Sequence, residues 1–124
     1  RGTPSRIINI GSIAGLKPQK FPTFSYDASK AALHHLSRKL ADELSSRNIT
    51  VNVIALGFFP TKMTDSLDVY GKDVKDNIMA NGLLIKRVGR ASDVGGAAVY
   101  LASSAGSWVT GTTLTCDGGF LSKL

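Results

Sequence analysis

The sequence has 124 residues, of which 43% are hydrophobic, and a single cysteine. A chain of this length forms at most one domain, and its apolar fraction is enough for a core, which argues against disorder. No apolar run reaches the length of a membrane span. The lone Cys116 excludes an internal disulfide and is consistent with a reducing compartment.

The formal net charge is +6. A positive net charge favours binding of nucleic acid, and it also favours binding of anionic small molecules such as nucleotide cofactors or acyl thioesters. The basic residues are scattered, without a basic run or interleaved aromatic residues, and this distribution argues against nucleic-acid binding. A solvated basic surface is the third interpretation.

The chain opens with a predicted strand. Residues 6–10 (RIINI) form a β-branched apolar run without polar alternation, which is typical of a strand buried on both faces of a parallel sheet. The sequence GSIAG, residues 11–15, ends this strand. Residues 17–23 are a loop that contains two prolines.

A helix is predicted from about residue 25 to residue 47, with Asn48 as its C-terminal residue. Residues 49–55 (ITVNVIA) then predict a second buried strand. The helix carries an apolar stripe that predicts its packing face, formed by Leu33, Leu36, Leu40 and Leu44.

Residues 56–60 are a predicted loop, and residues 61–82 are mixed and polar, with one or two weak helices. The next helix has Ser92 as its candidate N-cap. Gly95 and Gly96 inside this helix each cost about 1 kcal/mol relative to alanine. We expect close packing against a neighbouring backbone to explain them.

The last predicted strand is TTLTC, residues 112–116, which the turn DGG closes. Strands and helices therefore alternate along the chain, and each crossover is long enough to join parallel neighbours. This order predicts an α/β layered sheet.

Tyr26 and Lys30, in the stretch FSYDASK, lie one turn apart on one face of the first helix. Alone, this spacing is a weak motif that an ordinary surface contact also explains. Ser12 ends the first strand, and open α/β sheets bind ligands at such strand ends. A simple turn serine is the alternative for Ser12.

Four landmarks occur in order: NIGSIAG with Ser12, YDASK with Tyr26 and Lys30, VNVIALGFFPTKMT (51–64), and the closing segment 89–119. Together they resemble the short-chain dehydrogenase/reductase family, particularly its 3-oxoacyl-carrier-protein-reductase-like members, over nearly the whole chain.

The resemblance implies that residues 1–124 are a partial domain, the C-terminal half of a doubly wound parallel-sheet (Rossmann-type) α/β fold. Members of the family are usually about twice as long, and their glycine-rich dinucleotide turn has no counterpart in this sequence. The residue that selects NAD or NADP is expected upstream as well.

The resemblance also implies roles for three residues. Tyr26 would exchange a proton with a carbonyl or alcohol oxygen, and a cation one helical turn away favours the phenolate form that this exchange needs. Lys30 would supply that cation and hold the nicotinamide ribose. Ser12 would hydrogen-bond the substrate oxygen, at a spacing to Tyr26 one residue wider than is usual in the family.

Gly57, Phe59 and Thr61 match the family's loop after the sixth strand, which holds the nicotinamide carboxamide of NAD or NADP. Leu56 stands where the family usually has proline, so the turn loses a restraint on φ. A helix N-cap is the alternative interpretation of Thr61.

His34 and His35 are adjacent and so lie on different sides of the helix. No cysteine or carboxylate stands near them at ligand spacing, and we expect no metal site. Residues 63–84 correspond to the family's substrate lid. Several apolar side chains line a substrate pocket or pack in a core, two alternatives that stay open: Phe58, Met63, Leu67, Tyr70 and Met79.

The last three residues, Ser122-Lys123-Leu124, match the peroxisomal address, which predicts recognition by the peroxisomal import receptor. Peroxisome is therefore the expected location, and the cytoplasm is the alternative.

Two functions follow as hypotheses. The first is an oxidoreductase that transfers a hydride between NAD(P)(H) and a carbonyl/alcohol substrate, such as an oxoacyl thioester or a related ketone. The second is an inactive fragment or an assembly half, whose three strands would be the fifth to seventh of the full sheet and would leave one edge bare. The resemblance also implies a homo-oligomer, a dimer or tetramer, with the Tyr26 helix in a subunit interface.

Overall fold

The computed structural model describes residues 2–60 and 72–124. In chain order, the strands are β1 (Ser5–Ser12), β2 (Ile49–Leu56) and β3 (Thr113–Cys116). The helices are α1 (Phe24–Leu44), α2 (Lys72–Asn77) and α3 (Ala91–Ala102). Short helical turns follow β1 at Ile13–Gly15, α1 at Ser45–Arg47, α2 at Ile78–Gly82 and α3 at Ser104–Gly106.

The three strands form one parallel sheet in the order β1-β2-β3, which confirms the predicted α/β sheet. Ser12 is paired in register with Leu56, which in turn is paired with Cys116. The carboxyl ends of all three strands therefore lie side by side. In open α/β sheets this edge is the one at which ligands bind.

Helices cover both faces of the sheet. The Asn9 side chain donates a hydrogen bond to Ser37 Oγ of α1 at 2.9 Å. The Arg6 guanidinium donates instead to the carbonyls of Leu101 and Ser103, at the end of α3, at 3.0 and 2.9 Å. Since successive side chains of a strand point to opposite faces, α1 and α3 pack on opposite sides of β1.

The centre of the core is β2. Its residues Val51, Val53 and Ile54 are at most 1% exposed, as its β-branched apolar sequence predicts. The same prediction is wrong for β1, whose Ile10 is 46% exposed. The cause is position, because β1 is an edge strand of this sheet and β2 has a strand on either side.

Three of the four leucines of the predicted stripe, Leu33, Leu40 and Leu44, are partly buried, whereas Leu36 is 51% exposed. The buried residues of α1 are His34, Ser37 and Ala41, so the centre of the packing face lies beside the predicted stripe. The helix lies so close to the turn after β1 that a Cβ atom added to Gly15 would be 2.7 Å from the Ala31 backbone nitrogen. Small and polar side chains therefore occupy the centre of this face, and the leucines lie along one side of it.

Helix α3 begins at Ala91, with Arg90 rather than the predicted Ser92 as its N-cap. The Asp93 carboxylate determines this start, because it accepts hydrogen bonds from the Arg90 backbone N–H at 2.7 Å and from the Arg87 guanidinium at 2.7 and 3.1 Å. The bonds from Arg87 and then from Arg90 lower the pKa of Asp93 to about 2.

The closing turn after β3 contacts the segment after α2, because the Leu84 and Ile85 backbone N–H groups both donate to the Gly118 carbonyl at 2.9 Å. Gly118 and Gly119 have positive φ angles of 61° and 83°, which favour glycine. The Asp117 carboxylate accepts hydrogen bonds from the Gly119 and Leu121 backbone N–H groups, both at 2.9 Å.

No helix among the described residues combines the length and apolarity that a membrane crossing needs.

The two glycines in α3 are not explained by close packing, so that expectation is wrong. A Cβ atom added to Gly95 or Gly96 would meet nothing within 4 Å among the described residues. Gly11 in β1 is the opposite case, because an added Cβ would lie 2.1 Å from His34 Nε2 and 2.7 Å from Val53 Cγ1.

We therefore predict opposite effects for two alanine substitutions. Gly11→Ala should lower the free energy of unfolding by about 1–3 kcal/mol, because the added methyl overpacks the contact between α1 and the sheet. Gly95→Ala, the matched control, should raise it by about 0.5–1 kcal/mol, because the exposed helix interior gains propensity without a clash. Urea unfolding of both variants measures the two changes, and a neutral Gly11→Ala would contradict the described packing.

Candidate active site

Ser12 is the last residue of β1 and is 6% exposed. Its Oγ atom accepts a hydrogen bond from the Ala14 backbone N–H at 3.1 Å, which caps the helical turn that follows. This bond uses a lone pair of Oγ, and the hydroxyl proton stays free to be donated to another oxygen. The sequence predicted this position for Ser12 at a strand end, and the structure confirms it.

Tyr26 and Lys30 lie one turn apart in the first half of α1, as predicted. The Lys30 Nζ atom is 5.7 Å from the centroid of the Tyr26 ring. The same ammonium donates a hydrogen bond to the Ile10 carbonyl oxygen at 3.0 Å, two residues before Ser12. The described contacts therefore bring Lys30, with Tyr26 beside it, to the end of β1 at which Ser12 lies.

His34 is a residue of this site that the sequence reasoning missed. It is 5% exposed, and its Nε2 atom accepts a hydrogen bond from the Ser12 backbone N–H at 3.2 Å. The sequence reasoning considered His34 only as a metal ligand. Its spacing of four residues from Lys30 and eight from Tyr26 places it on the same helical face, and that spacing was the available signal.

The burial of His34 affects its protonation. Burial lowers the pKa of the imidazole below its usual 6.5, and the positive charges of Lys30 and then Arg38 lower it further. A weaker interaction with the Gly15 backbone raises the pKa. The Nδ1 atom is buried and has no hydrogen bond of good geometry among the described residues. His34 is therefore neutral at neutral pH.

The predicted cofactor loop follows β2. The Gly57 backbone N–H donates to the Cys116 carbonyl at 2.9 Å, and a Cβ atom on Gly57 would lie 2.8 Å from Asp117 Cα. The Phe59 ring covers Gly89, where an added Cβ would be 2.3 Å from the ring. Thr61 lies outside the described residues. Leu56, expected in the loop, is instead the last residue of β2.

A cavity of about 370 Å³ lies beside this loop, and it includes Phe59 but not Ser12, Tyr26 or Lys30. The cavity therefore does not connect the predicted cofactor loop with the predicted catalytic residues. Burial raises the pKa of Cys116, which lines this cavity, so its thiol stays protonated at neutral pH.

Of the predicted pocket residues, Phe58 packs edge to face against Phe120, with the ring centroids 5.0 Å apart. Phe58 also lines the cavity beside the loop and is only partly buried, so the pocket and core alternatives both stay open for it. Met79 lies in the turn after α2 and is partly buried, whereas Met63, Leu67 and Tyr70 lie outside the described residues. Within residues 2–60 and 72–124 there is no cluster of three side chains suited to a metal ion.

The chain is similar in sequence to a known protein family and to several known proteins. Residues 1–121 match the family model described as Enoyl-(Acyl carrier protein) reductase. The chain is 42% identical over 119 residues to the Rhamnolipids biosynthesis 3-oxoacyl-[acyl-carrier-protein] reductase of Pseudomonas aeruginosa, covering 94% of this chain and 45% of that protein. It is 41% identical over 113 residues to a Bos taurus 3-oxoacyl-[acyl-carrier-protein] reductase, covering 91% and 44%.

Two solved structures are similar to this chain in both fold and sequence. The Pseudomonas aeruginosa RhlG/NADP active-site complex has a TM-score of 0.84 at 42% identity, over 95% of this chain and 45% of that one. A 7 alpha-hydroxysteroid dehydrogenase complexed with NADH and 7-oxo glycochenodeoxycholic acid has a TM-score of 0.84 at 36% identity, over 93% and 44%. The chain thus spans somewhat less than half the length of these relatives.

Proposed function

Because the chain belongs to the short-chain dehydrogenase/reductase family, we propose that it carries the proton-transfer half of an oxidoreductase that interconverts a carbonyl and an alcohol with NAD or NADP. One observation carries the proposal. The Lys30 ammonium, one turn after Tyr26, reaches back to the Ile10 carbonyl at the end of the strand that Ser12 terminates.

In this proposal each residue acts through an ordinary property of its side chain. The Tyr26 hydroxyl gives a proton to the substrate oxygen in reduction and takes it back in oxidation. Lys30 places a positive charge 5.7 Å from the centroid of the Tyr26 ring. The Ser12 hydroxyl proton, which its bond with Ala14 leaves free, is donated to the same substrate oxygen and stabilises its developing charge.

In this proposal Lys30 and the loop after β2 hold the nicotinamide end of the cofactor. One of the three Lys30 N–H donors is bound to the Ile10 carbonyl, and another can be donated to a ribose hydroxyl at the carboxyl edge of the sheet. Gly57, Phe59 and Thr61 would hold the carboxamide from the loop after β2. The cofactor supplies the hydride, and the sequence contains no G-x-G-x-x-G turn for its phosphates.

For the substrate we propose a 3-oxoacyl thioester or a related ketone. The support is the relatives named above, two of which are 3-oxoacyl-[acyl-carrier-protein] reductases. The net charge of +6 also suits an anionic thioester carrier. The support for a related ketone is the 7 alpha-hydroxysteroid dehydrogenase structure, which contains NADH and 7-oxo glycochenodeoxycholic acid.

We predict that Tyr26→Phe lowers kcat for reduction of a 3-oxoacyl thioester by NADPH or NADH roughly 10²–10⁴-fold, because it removes only the proton donor. Cofactor affinity should stay unchanged. Ser12→Ala should lower kcat as well, by roughly 10²-fold or more. Initial rates followed by loss of nicotinamide absorbance measure these effects.

Tyr100→Phe is the matched control, because Tyr100 is an exposed tyrosine on α3 and its variant should keep the wild-type rate. A Tyr26→Phe variant as fast as the wild type would reject the proposed role. A folded wild type without turnover on either cofactor would favour the second hypothesis, an inactive fragment or assembly half.

Homo-oligomeric assembly, as a dimer or tetramer, is part of the proposal. Large apolar side chains on the described surface support it: Phe24 at 85%, Val99 at 67% and Trp108 at 100% exposed. Sedimentation equilibrium decides it, and a monomeric mass at micromolar concentration would reject it.

Import into peroxisomes is a proposal that the exposed Ser122-Lys123-Leu124 tail supports. Cytoplasmic location is the alternative. Microscopy of a fluorescent protein fused ahead of this chain distinguishes the two, and a diffuse signal that removal of Leu124 does not change would reject import.

A further inference from the structure

The hydrogen bond between His34 and Ser12 specifies the state of the imidazole. Nε2 accepts the Ser12 backbone N–H at 3.2 Å, so Nε2 carries no proton. A neutral imidazole has one donor and one acceptor, and the proton must therefore lie on Nδ1. A protonated ring would place an N–H donor at Nε2 against the N–H donor of Ser12.

The chain makes room for this ring with two glycines that flank Ser12. A Cβ atom on Gly11 would lie 2.1 Å from Nε2 and 2.7 Å from Cδ2 of His34. A Cβ atom on Gly15 would lie 3.0 Å from Cε1 of the same ring. The imidazole thus occupies space that a side chain at position 11 or 15 would take. Through this space it reaches the backbone of the predicted catalytic serine.

Burial, and then the charges around the ring, keep His34 neutral. Lys30 and Arg38 lie one turn before and one turn after His34 on α1, and both oppose a positive charge on the ring. The other elements that pack against the ring add no titratable group, because the turn Ile13–Gly15 and strand β2 contain none. The one titratable residue of β1, Arg6, is bound to the end of α3.

We propose that His34 is a positioning residue that holds Ser12 by accepting its backbone N–H, and that protonation of His34 releases Ser12. The proposal rests on the proposed function, in which the Ser12 hydroxyl contacts the substrate oxygen. His34 itself lies behind the strand end and acts on the substrate only through the place of Ser12.

The pH dependence follows from the lowered pKa. The folded protein binds the His34 proton less readily than the unfolded chain, so the His34 contribution to stability is complete above about pH 6.5 and is lost as the pH falls toward the folded pKa. The native ring takes up its proton only as the pH falls through its own lowered pKa, and the Ser12 anchor is lost there. We expect kcat to fall at that lower pH, with KM changing less.

Two substitutions at His34 distinguish the loss of the hydrogen-bond acceptor from the loss of the titrating group. His34→Gln keeps an oxygen that can accept the Ser12 N–H and does not titrate, whereas His34→Leu removes the acceptor. We expect His34→Leu to lower kcat about three- to tenfold, as loss of one hydrogen bond does. His34→Gln should retain most of kcat and lose the acid decline of kcat that the wild type shows below pH 6.5. His35→Leu, on the exposed neighbour, is the matched control and should match the wild type.

Nuclear magnetic resonance gives a readout that does not depend on activity. Long-range ¹H–¹⁵N correlation should show the Nδ1–H tautomer of His34, and the Ser12 amide resonance should move together with the ring as the pH is lowered. If His34→Leu does not fold, this titration of the wild type and the His34→Gln rates still decide the proposal.

The proposal is overturned by an Nε2–H tautomer, by a Ser12 amide that does not respond to the His34 titration, or by His34→Gln keeping the acid decline of the wild type. A different result separates the two proposals. A wild type without turnover that shows the Nδ1–H tautomer and the coupled Ser12 shift would reject the proposed function and support the hold of His34 on Ser12.

Discussion

The close approach of α1 to the end of β1 is the constraint on which the candidate site depends. Gly11 and Gly15 leave no side chain between strand and helix, so the Lys30 ammonium can reach the Ile10 carbonyl and the His34 ring can reach Ser12. A helix held one side-chain layer further out would carry the same sequence without these contacts. The glycines thus determine the geometry of the site although they take no part in its chemistry.

The site combines two cations with a histidine that stays neutral. Lys30 is at the surface end of the helical face, where its charge is solvated and can meet a ligand, whereas His34 is buried one turn further along. Arg38 follows after another turn and adds to the same field. The helix therefore presents a charged donor toward the ligand edge and an uncharged acceptor toward the strand, and burial together with the charges of Lys30 and Arg38 keeps that acceptor uncharged.

Local patterns predicted the elements well because strand and helix periodicity reflects nearby residues. The sequence predicted β2 within one residue at its end, and it predicted the position of Ser12 at a strand end. It predicted the packing face of α1 only in part: Leu33, Leu40 and Leu44 are partly buried, but the close approach at Gly11 and Gly15 makes His34, Ser37 and Ala41 the most buried residues. The N-cap of α3 at Arg90 was missed because the Asp93 carboxylate, which binds Arg87 and the Arg90 backbone N–H, determines the helix start.

A calorimetric titration of the purified protein with NADPH and with NADH tests the cofactor site directly, by comparing the wild type with Lys30→Met and Lys39→Met. We predict saturable binding that Lys30→Met weakens about ten- to a hundredfold, as loss of a charge-assisted hydrogen bond does. Lys39, exposed further along α1, should have no effect when changed. Equal affinity of the wild type and Lys30→Met, or no binding by the folded protein, would contradict a cofactor site at the end of β1.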